Sequence, residues 1–289
     1  MIGRQTRRNR ITPGCSQSPK EPALADLVVM RTFNDSYQHT MDRDAIQAKF
    51  LALLKQGSRE LFEDNADKMK VPDLLPTENM IAEDDLRLFF LGCQEHLITL
   101  ERGARFNTLD RPRSGGRWGL LSRTKDGGWY NAEYLPQIAS YVHAIVELGY
   151  PSERVLFELP DQALKLDLAI LNDEGKVIVV GEAKRALPML DNLINEVLRH
   201  YREVDPGSEG RNESRQLAWR LWRTRTPFLW LIGPGERRAY KLSYGPINFE
   251  RIPRLPAASD IGLGSPPARH LGIPNLHKES NTASSGSTG

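Results

Sequence analysis

Between Leu166 and Lys184 the chain has little choice of conformation. Two aliphatic and β-branched runs, Leu166 to Leu171 and Val177 to Val180, are each of strand length, and Asn172-Asp173-Glu174-Gly175 between them is a turn signal. The pattern predicts a hairpin with strands over Leu166 to Leu171 and Lys176 to Ala183, preceded by a strand over Arg154 to Leu159. A helix is expected ahead of these strands, from about Ala132 to Leu148. Its positions Leu135, Ile138, Ala139, Val142, Ile145 and Val146 recur on one face, Asn131 stands where a cap belongs and Gly149 where a helix ends. Another helix should follow over Met189 to Tyr201. The fold class is therefore α/β, a mixed sheet flanked by helices.

That hairpin carries charge where apolar residues are expected. Asp167 interrupts one apolar run, and Glu182 and Lys184 close the other on one strand face, because strand side chains alternate. Half-buried carboxylates need a cation or hydrogen bonds. Asp167 and Glu182 are hard oxygen donors of the kind that hold Mg²⁺ or Mn²⁺. The chemistry this suits is phosphodiester hydrolysis, with the metal activating water and Lys184 orienting it or stabilising charge on the phosphate. A plain Asp167–Lys184 ion pair at a sheet edge is the competing reading. On the metal reading the two carboxylates should not both be needed for packing, so removal of either should leave the fold largely intact.

Asp167, the turn and Glu182-Ala183-Lys184 resemble the PD-(D/E)XK nuclease superfamily. The closer resemblance is to the nuclease domain at the start of type I restriction-enzyme motor subunits. It is carried by Leu148-Gly149-Tyr150-Pro151, Val155, Glu158, Asp167 and Gly175-Lys176-Val177 through Gly181-Glu182-Ala183-Lys184-Arg185, and spans about Ala132 to Tyr201. The resemblance implies a restriction-endonuclease-like fold and a divalent-metal-dependent DNA endonuclease, in a defence or DNA-processing setting. It also implies an upstream acidic residue, for which Glu147 in the helix is preferred to Glu158. Glu196 stands where related domains carry Gln, with Tyr201 or His200 at the aromatic position. No Gly-rich phosphate loop ending in Gly-Lys-Ser/Thr is present, which excludes a complete motor. Two alternatives remain: a non-cleaving nucleic-acid-binding protein of the same fold, and a structural subunit of a larger nuclease or motor assembly.

A nuclease also needs cations for the phosphate backbone. The candidates are Arg185 beside the motif, Arg199 and Arg202 on the following helix, and Arg113, Arg117, Arg123 and Lys125 in the Gly-rich stretch Arg111 to Gly128. That stretch reads either as a hairpin or as a basic loop. Trp118 and Trp129 are candidates for stacking on a base, whereas Trp219, Trp222 and Trp230 lie among leucines and suit packing.

Along the chain, 1–22 reads as a flexible basic arm and 23–110 as a helical subdomain offering a face to DNA or to a protein subunit. Within it, helices are expected from about Asp44 toward Phe62 and over Glu83 to Glu101. The nuclease-like domain with its basic loop covers 111–255, including strands over Pro227 to Ile232 and Arg238 to Leu242. The segment 256–289 reads as a disordered tail. A net charge of +2 over 289 residues is too small to establish a nucleic-acid partner by itself. No apolar run is long enough to cross a bilayer, and the two cysteines, Cys15 and Cys93, fit a reducing compartment, so a cytoplasmic protein is expected. The histidines and cysteines have no zinc-site spacing, and no Gly-x-Ser-x-Gly or Rossmann fingerprint is present.

Overall fold

The computed structural model describes residues 43–61, 76, 81–111, 116–124, 127–159 and 164–263. The expected arm, Arg113 and Lys125 lie outside the described residues. So do residues 264–289 and much of 23–110.

The centre is a six-stranded sheet. Its strands are β6 (Val155–Phe157), β7 (Leu168–Leu171), β8 (Val177–Ala183), β9 (Phe228–Gly233), β10 (Glu236–Ser243) and β11 (Asn248–Ile252), arranged in that spatial order. β8 and β9 are parallel and every other neighbouring pair is antiparallel. The parallel step requires a long crossover. Helices α4 (Leu187–His200) and α5 (Glu213–Thr224) supply it, burying Leu190, Leu193, Val197, Leu217 and Leu221 against Val180, Leu229 and Leu231 of the sheet. Asn212 caps α5 by accepting the Ser214 and Arg215 amides. Helix α3 (Tyr134–Val146) packs from the opposite face, its Tyr141 against Phe157 and its His143 against Trp230.

The expected hairpin forms β7 and β8, with Asn172 Oδ1 accepting the Glu174 and Lys176 amides inside the turn. Gly181 lets the two strands meet closely: a Cβ there would lie 2.7 Å from Leu168 Cβ. Any larger residue would push β8 away from β7 one position before Glu182. Asn131 does not cap α3; its amide instead binds the Gly119 carbonyl and the Ser122 hydroxyl, tying down the preceding hairpin.

Three expectations need correction. The helix beginning at Glu83, α2 (Glu83–Gln94), is shorter than its apolar pattern suggests. His96 takes a left-handed φ of 56°, and Ile98 to Glu101 become β1 (Ile98–Glu101), since Ile98 and Leu100 fit a period of two as well as one of three to four. With β2 (Arg105–Thr108) and β3 (Trp118–Gly119), β1 makes a small antiparallel sheet, followed by the hairpin β4 (Leu121–Thr124) and β5 (Gly127–Tyr130). The described part of 23–110 is therefore not purely helical. Nor is it separate: α1 (Arg43–Leu61) and α2 belong to one compact unit with the sheet, and Asp85 of α2 accepts the Gly235 amide and pairs with Arg237. Finally, 256–263 are folded rather than tail. Tyr150 donates to the Pro256 carbonyl, the Ala258 amide donates to Leu148 O, and Leu263 is buried. Strand β11 carries little sequence signal, because its Asn-Phe-Glu-Arg-Ile sequence is mostly polar and sits at the sheet edge. No helix among the described residues is long and apolar enough to cross a membrane.

Candidate functional site

Asp167, Glu182 and Lys184 meet where β7 begins and β8 ends. Asp167 Oδ2 accepts the Ala183 amide at 2.7 Å, which holds its carboxylate against the end of β8 and leaves Oδ1 without a hydrogen-bond partner among the described residues. Lys184 continues past the strand, its amide bonded to Ile232 O, so the parallel neighbour β9 fixes its position.

Glu182 and Lys184 are both nearly excluded from solvent, at 4 % and 6 % exposure. Lys184 Nζ donates to Glu182 Oε1 at 2.8 Å, and a third buried residue, Arg220 of α5, donates to Glu182 Oε2 at 2.7 Å. Glu182 thus holds two buried cations, so its loss should disturb the fold more than the sequence suggests. Glu213, at the start of α5, stands 3.6 Å from Lys184.

Two further acids face the cluster. Glu158 follows β6 with a left-handed φ of 52°, a costly conformation for a residue with a side chain, held by its amide on Asp167 O and by Gln137 Nε2 at 3.4 Å from its carboxylate. Gln137, buried in the first turn of α3, also donates to Asp167 O at 2.6 Å and so locks the helix to the site. Glu133, just ahead of α3, lies where the charges of Lys184, Glu213 and Glu182 act on it.

The protonation equilibria record an imbalance. Burial, and then the neighbouring Glu182, push Asp167 well above the usual carboxylate range. Burial likewise raises Glu158 and Glu133, each also facing other carboxylates of the cluster. Burial alone would lower Lys184, but Glu182, Asp167 and Glu213 around it hold it above the ordinary lysine range. Glu133, Glu158, Asp167, Glu182 and Glu213 therefore surround the two cations Lys184 and Arg220, with negative charge in excess.

Among the described residues, no three or more His, Cys, Asp or Glu side chains are drawn together as a finished metal shell. The donor chemistry nevertheless fits a hard divalent cation. Asp167 Oδ1 is open, and added positive charge would offset the burial, and after it the repulsion from neighbouring carboxylates, that raise Asp167 and Glu158. Glu182 fits less directly, since Lys184 and Arg220 occupy both of its oxygens.

Glu147 is not at this site. It lies just beyond the far end of α3, bound to Arg87 at 2.8 Å and His143 at 2.8 Å, whereas Glu158 faces the cluster. Arg185 is exposed beside Lys184; Arg199 is exposed next to Glu196 at 3.4 Å, and Arg202 is exposed past the end of α4. Arg117 and Arg123 belong to a different surface, a cleft lined by β3 and β4. Trp118 is packed among Phe106 and Phe157, whereas Trp129 is 49 % exposed. Sequence reasoning missed Arg220, Gln137, Glu133 and Glu213. For Arg220 a signal existed: an arginine on the apolar stripe of Leu217, Ala218 and Leu221 needs a buried partner. Comparison with protein-family models, curated proteins and solved structures returns no match.

Proposed function

We propose that the chain is a divalent-metal-dependent nuclease of the PD-(D/E)XK kind, acting on phosphodiester bonds of DNA. The observation that carries the reading is the carboxylate-rich cluster around Asp167, Glu182 and Lys184, whose negative charge exceeds what Lys184 and Arg220 neutralise. The succession of α3, the Gly149-Tyr150 turn and strands β6 to β8, with a mixed sheet flanked by helices, supports the same restriction-endonuclease-like reading.

In this account Asp167 and Glu158, with Glu182 once one of its cations yields, would hold the metal. When bound, the metal polarises the phosphate and makes water a stronger nucleophile. Lys184 stays protonated in its ring of carboxylates and offers a fixed positive charge to the phosphate oxygens as negative charge develops on them. Gln137 and the Ala183 amide orient Asp167, and Arg220 orients Glu182. Arg185, exposed at the rim, contacts the strand without reading its sequence.

One observation favours a second reading, a nucleic-acid-binding protein of this architecture that does not cleave: Glu182 is already neutralised by two buried cations. Incubating the purified chain with linear, supercoiled, branched and single-stranded DNA, with Mg²⁺, Mn²⁺ or EDTA, separates the two. Cleavage that needs the metal and disappears in Asp167→Asn is the expected result. DNA binding without cleavage would favour the second reading, and cleavage undiminished in Asp167→Asn would overturn the first.

A further inference from the structure

Both oxygens of Glu182 are taken, and the two cations that take them are held very differently. Lys184 lies two residues along the same chain, and its amide is fixed to Ile232 O. Its Nζ is 2.8 Å from Glu182 Oε1 and 3.6 Å from Glu213, and the charge of Asp167 acts on it as well. Three carboxylates therefore keep Lys184 in place.

Arg220 comes from α5 and reaches Glu182 Oε2 through Nη1 alone, at 2.7 Å. The contact is not a fork of two parallel hydrogen bonds, the geometry in which a guanidinium holds a carboxylate most firmly. Arg220 Nε is buried and has no hydrogen-bond partner among the described residues. A buried donor left unspent makes this position unfavourable for the guanidinium, so less is lost when Arg220 leaves Glu182 than when Lys184 does. The helix that carries it is anchored: Leu217 and Leu221 sit in the core, Asn212 caps the first turn, and Trp222 Nε1 donates to Tyr201 O at 3.2 Å. The flexible stem of Arg220 can therefore swing its guanidinium without moving α5.

Resting on the metal reading above, we propose that Arg220 is a positioning residue that occupies the cation's place on Glu182 in the metal-free protein and withdraws from Oε2 when a divalent cation binds. Metal binding is then an exchange rather than an addition. Arg220 keeps Glu182 aimed while no metal is bound, and the contact that has to break lowers the apparent affinity for the metal. Its charge acts on Glu158 too, so a cation held by these acids meets its repulsion as well as its competition.

The test compares Mn²⁺ binding by the full-length wild type and Arg220→Met without nucleic acid, read by electron paramagnetic resonance of the free ion. Exchange predicts that Arg220→Met binds Mn²⁺ about tenfold or more tighter. An arginine that merely supported the site would give the opposite sign, since its loss would loosen Glu182 and weaken binding. Equal or weaker binding by folded Arg220→Met, beside saturable binding by the wild type, overturns the proposal and leaves the metal reading standing. No saturable binding by either protein overturns the metal reading and the proposal with it. Because Arg220 is buried, a second measurement uses the wild type alone: nuclear magnetic resonance of the Arg220 guanidinium during titration with Mg²⁺. Its amino protons, held apart while Nη1 is bound to Glu182, should merge at saturating Mg²⁺ as that hydrogen bond is lost. Amino protons that stay apart at saturation would overturn the proposal even if Arg220→Met fails to fold.

Discussion

Two charge clusters lie at opposite ends of α3, and they are balanced in opposite ways. Beyond the C-terminal end, Asp84, Asp85 and Glu147 face Arg87, Arg237 and His143. Arg237 reaches Asp85 at 2.6 Å, Asp84 at 3.0 Å and the Ser140 hydroxyl at 3.0 Å, while Arg87 reaches Glu147 at 2.8 Å. Burial works against ionisation of Asp84 and Glu147, yet Arg87 and its neighbours hold both below the usual carboxylate range; Asp85, fully buried, is raised. At the N-terminal end, Glu133, Glu158 and Asp167 are all raised. The first cluster is a structural clamp that uses its charges on itself. The second holds buried carboxyl groups whose ionisation is disfavoured, and added positive charge such as a divalent cation would favour it.

The comparison breaks or sharpens under substitution. The largest effect is expected from Glu182→Ala, which leaves Lys184 and Arg220 buried without their shared partner and should cost about 3–5 kcal/mol in denaturant unfolding. Asp167→Asn, whose carboxylate serves no cation in the same way, should lose far less stability. Arg237→Ala should also destabilise, by a few kcal/mol, but leave the cleavage rate per folded molecule at the wild-type level. Loss of cleavage in folded Arg237→Ala would mean the two ends are not functionally distinct.

A smaller effect is expected when Arg113, Arg117, Arg123 and Lys125 are replaced together by neutral polar residues. Binding to unrelated DNA sequences should weaken, and the slope of log affinity against log salt should flatten by about 0.7–0.9 for each phosphate that is no longer neutralised. An unchanged slope in the folded variant would remove this surface from the DNA path.

The smallest effect concerns pH. Burial, then Arg237, hold His143 below the ordinary histidine range. The unfolded chain therefore takes up the proton first. Stability from this residue is intact above about pH 6.5 and falls as pH drops below that value toward the folded pKa. His143→Gln should flatten the fall in Tm between about pH 7 and pH 5, and an unaltered Tm profile would contradict the assignment.

The hairpin is legible in the sequence because its apolar runs, its turn and its misplaced Asp167 are all local. Glu182 and Lys184 are legible for the same reason, through strand alternation. Arg220 and Gln137 are not, since each reaches the site from a helix distant in sequence, and only the sheet order brings them there. Glu147 is preferred to Glu158 in the sequence because a helix projects side chains over a sheet. The helix does so, but from its first turn, through Gln137, while Glu147 lies past its other end. The β1 strand is hidden because Ile98 and Leu100 extend the helical pattern of α2 until His96 turns the chain.

The central claim is that the carboxylates at the start of α3 reserve their excess charge for a divalent cation. Titrating Mn²⁺ into the wild type and into Asp167→Asn, followed by electron paramagnetic resonance of the free ion, tests it most directly. The account predicts saturable Mn²⁺ binding by the wild type, weakened about tenfold or more in a folded Asp167→Asn variant. No saturable binding by the wild type, or equal binding by both, would contradict it.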